Sequence, residues 1–198
     1  KAQRECDRLR DAGQYLAAES FCRQALSTAE QFGALDPRFA TSQNNLGMLY
    51  LRLGRLSEAE SFFQRALETM QKQANPDGAE LAAAWNNLGE ICRTRDQLPE
   101  AESHFRRAMA LWQEARGEQD PGIAVYLNNL AKVLGQKGKY AESVDLLRRV
   151  LSIRETQLPL EDPRVAASLT NLAEVYTFQG LYSQAEPLYR RSLAIREK

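Results

Sequence analysis

An Asn-Leu-Gly/Ala triplet occurs four times at one spacing: Asn45-Leu46-Gly47, Asn87-Leu88-Gly89, Asn129-Leu130-Ala131 and Asn171-Leu172-Ala173, each 42 residues after the last. Self-similarity at a fixed period of this length marks a linear array, in which each unit is too small to bury its own apolar face and stacking on neighbours supplies the core. Other columns keep the period. Phe63, Phe105, Leu147 and Tyr189 form one, Ala59, Ala101, Ser143 and Ala185 a second, and Ala66, Ala108, Val150 and Ser192 a third. A fifth, N-terminal match runs through Gly13, Ala18, Cys22, Ala25 and Leu26, set one residue closer. The expected organisation is one array over residues 1–198, with repeats at 1–35 (partial), 36–77, 78–119, 120–161 and 162–198.

Within a repeat the apolar spacing is helical. Leu46, Leu49, Tyr50 and Leu53 lie three and four residues apart, and Ala59, Phe62, Phe63, Ala66 and Leu67 do the same after Gly54, so each repeat is expected to hold two amphipathic helices. Asp36-Pro37, Asp120-Pro121 and Asp162-Pro163 place a capping carboxylate before a proline whose missing N–H costs nothing in a first turn, and are expected to start the first helices. The second full repeat offers Asn75-Pro76-Asp77-Gly78 instead. Gly54, Asp96, Gly138 and Gly180 fall between the paired helices, where a cap and tight turn are needed. Glu102 with Arg106 and Glu186 with Arg190 have the Glu-first i,i+4 order of a solvated helix face.

Bulk properties narrow the function. The 26 basic and 26 acidic residues cancel, which argues against a nucleic-acid-binding stripe. No apolar run approaches the ~20 residues that span a bilayer, and Lys1 to Arg10 is too polar for a signal peptide. The three cysteines, Cys6, Cys22 and Cys92, contain no C-x-x-C pair, so they are expected to be buried small hydrophobes in a reducing, cytoplasmic compartment rather than a disulfide framework or zinc site. The single histidine, His104, adjoins Phe105, and the chain offers no nucleophile-base-acid set, metal spacing or phosphate-binding glycine loop. Neither catalysis, a metal nor a cofactor is expected.

Leu46-Gly47, Tyr50, Gly54, Ala59, Phe63 and Ala66 resemble the tetratricopeptide repeat, and the match runs along essentially the whole chain. The 42-residue spacing, the Asn128-Asn129-Leu130-Ala131 opening and the Ala185-Glu186-Pro187-Leu188-Tyr189-Arg190-Arg191 close are similar to the kinesin-light-chain branch, with Asp-Pro where that branch commonly carries Asp-His-Pro. The resemblance implies an all-α, right-handed α–α superhelix of antiparallel helix pairs whose first helices line a concave groove.

It also implies a non-catalytic adaptor that binds a segment of a protein or peptide partner there. The groove face of the first helices would carry Asn44, Asn45, Met48 and Arg52, then Asn86, Asn87, Glu90 and Arg93, then Asn128, Asn129 and Lys132, then Asn171, Glu174 and Phe178. A carboxamide both donates and accepts, so a ladder of them suits the backbone of an extended peptide. The competing reading is that the asparagines brace neighbouring repeats. A second function reading is a scaffold that self-associates through its end repeats, because the last helix from Tyr182 carries Leu188, Leu193 and Ile195 without a polar capping helix.

Overall fold

The computed structural model describes residues 1–197; Lys198, the last residue of the expected repeat 162–198, lies outside the described residues. All regular structure among them is helical, and the chain divides into two units, Lys1–Arg95 and Asp96–Lys198.

Unit 1 contains α1 (Ala2–Asp11), α2 (Tyr15–Glu30), α3 (Pro37–Arg52), α4 (Leu56–Gln71) and α5 (Gly78–Thr94). Asp36 accepts from the Arg38 N–H at 2.9 Å and Asp77 from the Ala79 N–H at 2.8 Å, so the Asn75–Gly78 segment starts α5 with the same carboxylate device that starts α3. Between α3 and α4 the chain reverses through Gly54 at φ +73°, a left-handed conformation that costs glycine nothing. The equivalent turn after α5 uses Asp96 at φ +60°, one of the few side chains that tolerate it. Helix pairing is close because small residues face large ones. A methyl group built on Gly47 would lie 2.6 Å from two ring carbons of Phe63, and Leu46, Leu49, Tyr50, Ala59, Phe63 and Ala66 are all fully buried.

Unit 2 contains α6 (Leu98–Arg116), α7 (Ile123–Gln136), α8 (Tyr140–Gln157), α9 (Pro163–Phe178) and α10 (Tyr182–Arg196). Its core joins Ala131, Val144, Leu147, Leu172, Ala173, Tyr176 and Ala185 in one cluster and Ile123, Leu127 and Val150, with Met109 and Trp112, in another. Serines standing in alanine columns are satisfied by carbonyls: Ser143 donates to the Ala131 oxygen at 2.7 Å and Ser192 to the Ala166 oxygen at 2.9 Å. Asp162-Pro163 starts α9 as expected, with Asp162 accepting from the Arg164 N–H at 2.8 Å.

Asp120-Pro121 departs from expectation. Helix α7 begins only at Ile123: Asp120 accepts from the N–H two residues on (Gly122, 2.8 Å), as Asp36 and Asp162 do, but it also takes the Trp112 indole N–H (3.1 Å), and the Ile123, Ala124 and Val125 N–H groups each bond three residues back, to Asp120, Pro121 and Gly122, so a tighter turn precedes the helix. Trp112 lies so close that a side chain at Gly122 would meet its ring at 2.3 Å.

Two further expectations are corrected. Cys6 and Cys22 are not free thiols: they form a disulfide between α1 and α2, with Cα atoms 4.9 Å apart, while Cys92 is free and buried. Cys6 stands one 41-residue step before Gly47 and Cys22 one step before Phe63; the bond therefore occupies the site where the next repeat packs a ring on a glycine. Glu102, expected on a solvated face, has a side chain only 12% exposed and is held by three cations, Arg106 at 2.9 Å, Lys137 at 2.6 Å and Lys139 at 3.0 Å.

Candidate functional site

The candidate site is the face of the first helices turned away from the Leu-Gly/Ala packing. In unit 1 it is carried by α3 and α5. Asn44, Asn45, Met48, Asn86, Asn87, Glu90 and Arg93 are partly buried, and Arg52 is exposed. Asn87 donates its amide to the Asn44 carbonyl oxygen across 3.0 Å, so consecutive first helices are tied through side chains 43 residues apart. Asn44 also points its amide at the Met48 sulfur, 3.9 Å away. Asn45 accepts from the Arg10 guanidinium of α1 at 2.8 Å. Glu90 and Arg93 pair with one another at 2.6 Å, so neither presents a bare charge, and that pair holds the Arg93 pKa above its ordinary value although burial opposes it.

Unit 2 repeats the device on α7 and α9. Asn171 donates to the Asn128 carbonyl oxygen at 2.7 Å, and Asn128 in turn donates to Asn129 at 3.4 Å. Asn128 is buried, so its carboxamide braces the two helices. Asn129 and Asn171 remain partly exposed. Lys132 and Glu174 are exposed one turn further along their helices; Phe178, two turns beyond Asn171, is 69% exposed and Val125, one turn before Asn129, 51%. Bracing, the competing reading of the asparagine ladder, is therefore observed for the Asn44–Asn87 and Asn128–Asn171 pairs, while the outward edges of Asn87, Asn129 and Asn171 keep some accessible surface.

A second ladder, which the sequence reading did not assemble, runs along the helix-pair turns. Glu19 of α2 pairs with Arg55 at 3.2 Å, Glu60 of α4 with Arg95 at 2.7 Å, and Glu102 of α6 with Lys137 and Lys139. Each acid follows a buried alanine (Ala18, Ala59, Ala101), and its cation lies 35 to 37 residues later, beside the next turn. That shared offset is the signal by which the ladder is recognisable. Tyr50 adds to the first rung: its hydroxyl donates to Glu19 at 2.9 Å while the Arg55 guanidinium sits 4.4 Å from its ring centre. Burial, and after it the hydrogen bond to Glu19, raise the Tyr50 pKa to about 12. His104 is partly buried on α6. Among the described residues no group of three or more His, Cys, Asp or Glu side chains is placed to hold a metal ion, and no helix is long and apolar enough to cross a membrane.

A family model described as tetratricopeptide repeat matches residues 9–72 and 80–156, and a second model of the same description matches 165–198. No curated protein matches the chain in sequence. Among solved structures, BtubC (BKLC) from P. vanneervenii superposes with a TM-score of 0.82 at 27% identity, covering 97% of this chain and 77% of that one. A putative kinesin light chain from Podosopora anserina, with nearly identical TPR-like repeats, gives a TM-score of 0.78 at 22% identity over 98% of this chain and 92% of that one. RapI in its apo form gives 0.81 at 16% identity over 97% of this chain and 68% of that one. The all-α solenoid class is common to these comparisons, and the first two make the resemblance one of kinesin-light-chain-like type.

Proposed function

Because the chain belongs to the tetratricopeptide-repeat family, whose members commonly mediate protein–protein interaction, we propose that it is a non-catalytic adaptor that takes a peptide segment of a partner on its first-helix face. The observation that carries this reading is in unit 2: Lys132, Glu174, Val125 and Phe178 stand exposed around the carboxamides of Asn129 and Asn171. Amides that pair with a backbone, flanked by one cation, one anion and two apolar side chains, suit an extended segment of mixed composition better than a uniformly acidic tail. In unit 1, Arg52 and the outward edge of Asn87 would serve the same way. We propose the full 1–198 span as one array and the cytoplasm as its setting.

The test is a peptide-array screen run on the parent chain and on Asn87→Ala and Asn129→Ala. Peptides that engage these amides should weaken by about 1 to 3 kcal/mol for each; binding undiminished in the double variant sinks the groove reading. A second reading, self-association, draws on α10. Tyr189 is 38% exposed although Phe63, Phe105 and Leu147 in the same column are buried, and Tyr182 (67%) and Leu193 (55%) add apolar surface beside it. Light scattering over a concentration series decides it, a constant monomer mass ruling it out.

A further inference from the structure

We infer that Cys6 and Cys22 form a thiol–disulfide switch that sets whether α1 stays docked and, through Arg10, whether Asn45 is occupied from within the chain. Three observations converge on it. The bond spans the column pair that holds Gly47 under Phe63 one repeat later, so the first helix pair is closed covalently where the next is closed by packing. Of the ten residues of α1, only Cys6 and Leu9 are buried, against seven in α3; with so small an apolar grip, a ten-residue helix depends on what ties it down. Finally, α1 carries Arg10, which donates to the Asn45 carbonyl oxygen and is positioned by an ion pair with Asp7 at 3.0 Å.

The chemistry balances with a dithiol as co-reactant. Its thiolate attacks one sulfur of the bond, the other sulfur leaves as a thiolate and takes a proton, and the second thiol of the reductant closes its own disulfide while releasing the remaining cysteine. Two electrons and two protons pass from reductant to the pair. Both sulfurs sit in side chains with at most 1% exposure, so attack requires α1 to open first, and reduction then removes the crosslink that would return it. In cytosol such a bond is commonly transient and redox-sensing, whereas in an oxidising compartment it persists. Release of α1 takes Arg10 away from Asn45 and frees that carboxamide on the first-helix face.

The consequence for a bound peptide rests on the proposed adaptor reading; the bond and the opening of α1 do not. The test is therefore hydrogen exchange followed by mass spectrometry, with no peptide present, on air-oxidised parent chain, on the same chain with dithiothreitol, and on the double variant Cys6→Gly with Cys22→Phe, which rebuilds the Gly47–Phe63 pair. The switch requires a Cys6–Cys22 crosslinked peptide before reduction. It also requires exchange over residues 2–11 to quicken on the order of 100-fold on reduction, with α7 to α10 unchanged. In the double variant, dithiothreitol should change nothing in α1. Absence of the crosslink, identical α1 exchange with and without reductant, loss of protection throughout the chain, or a dithiothreitol response in the double variant each overturns it. A failed peptide screen leaves the crosslink and all three exchange outcomes readable, so the two ideas fail separately.

Discussion

Unit 1 closes its second helix pair with Gly47 under the ring of Phe63; unit 2 fills the same two columns with Ala131 and Leu147 in one buried cluster. The small member grows by a methyl where the large member shrinks from an aromatic ring to an isobutyl group. In these two pairs summed volume is kept, as close-packed interiors require, whereas Ala173 with Tyr189 in the same columns exceeds it and leaves the ring 38% exposed; the disulfide of Cys6 with Cys22 is a third way of closing the pair. The comparison is broken most severely by emptying one column. Phe63→Ala should cost about 3 to 5 kcal/mol in denaturant unfolding, since the fully buried ring has no neighbour able to take its place. Gly47→Ala is subtler: alanine favours the helix by ~1 kcal/mol, but its methyl meets Phe63, and overpacking of about 1 to 3 kcal/mol should win. Adding Phe63→Leu to Gly47→Ala copies unit 2 and should restore most of the loss. If the double variant is no better than Gly47→Ala alone, volume compensation is not the rule of this column.

The asparagine bonds give the next largest contrast. Asn171 donates to Asn128, which is buried, whereas Asn87 donates to Asn44, which keeps partial exposure. Removing the donor leaves a buried carbonyl oxygen without that bond in unit 2 and one that water can reach in unit 1. Asn171→Ala should therefore destabilise by about 2 kcal/mol and Asn87→Ala by about 1 kcal/mol or less. Equal losses would show that burial of the acceptor does not decide the cost.

Most of the helix order was legible in the sequence because each repeat restates it: apolar columns, Asp-Pro starts and left-handed turns recur often enough that a single deviation does not hide the period. Asp120 shows the limit. Its dipeptide and its carboxylate bond match those of Asp36 and Asp162, and what sets it apart, the Trp112 indole on Asp120 and against Gly122, is a contact that spacing does not show. The cysteine bond was not legible: the offset match of the first repeat places Cys22 in the Phe63 column, but Cys6 lies before that match begins, and three cysteines without a C-x-x-C pair do not say which two face one another across α1 and α2. The asparagine ladder was visible as a ladder, but its direction was not. A bond 43 residues long, one repeat plus one position, appears only when neighbouring helices are placed side by side.

The ion-pair ladder gives the finest comparison, between two glutamates of one column in unit 2. Glu102 is largely withdrawn from solvent, which by itself would raise its pKa, but hydrogen bonds from Lys137, Lys139 and Arg106 prevail and hold it down at about 2. A carboxylate depressed in the folded chain binds fewer protons there than when unfolded, so its contribution is complete above its ordinary 4.5 and is lost as pH falls toward about 2. Glu102→Gln should remove about 1 kcal/mol at pH 7, after allowance for solvent around the lysines, and flatten the fall in stability between pH 4.5 and 2. Glu186 stands at the same repeat position but is 62% exposed and pairs only with Arg190, itself 79% exposed, at 2.6 Å. An isolated i,i+4 pair in water is worth a few tenths of a kcal/mol, and salt screens it. Glu186→Gln should thus change stability by no more than ~0.3 kcal/mol in low salt and by nothing measurable in 1 M salt. If Glu186→Gln costs as much as Glu102→Gln, the column position matters more than the number of cations gathered around it, and the ladder owes nothing to its convergence at Glu102.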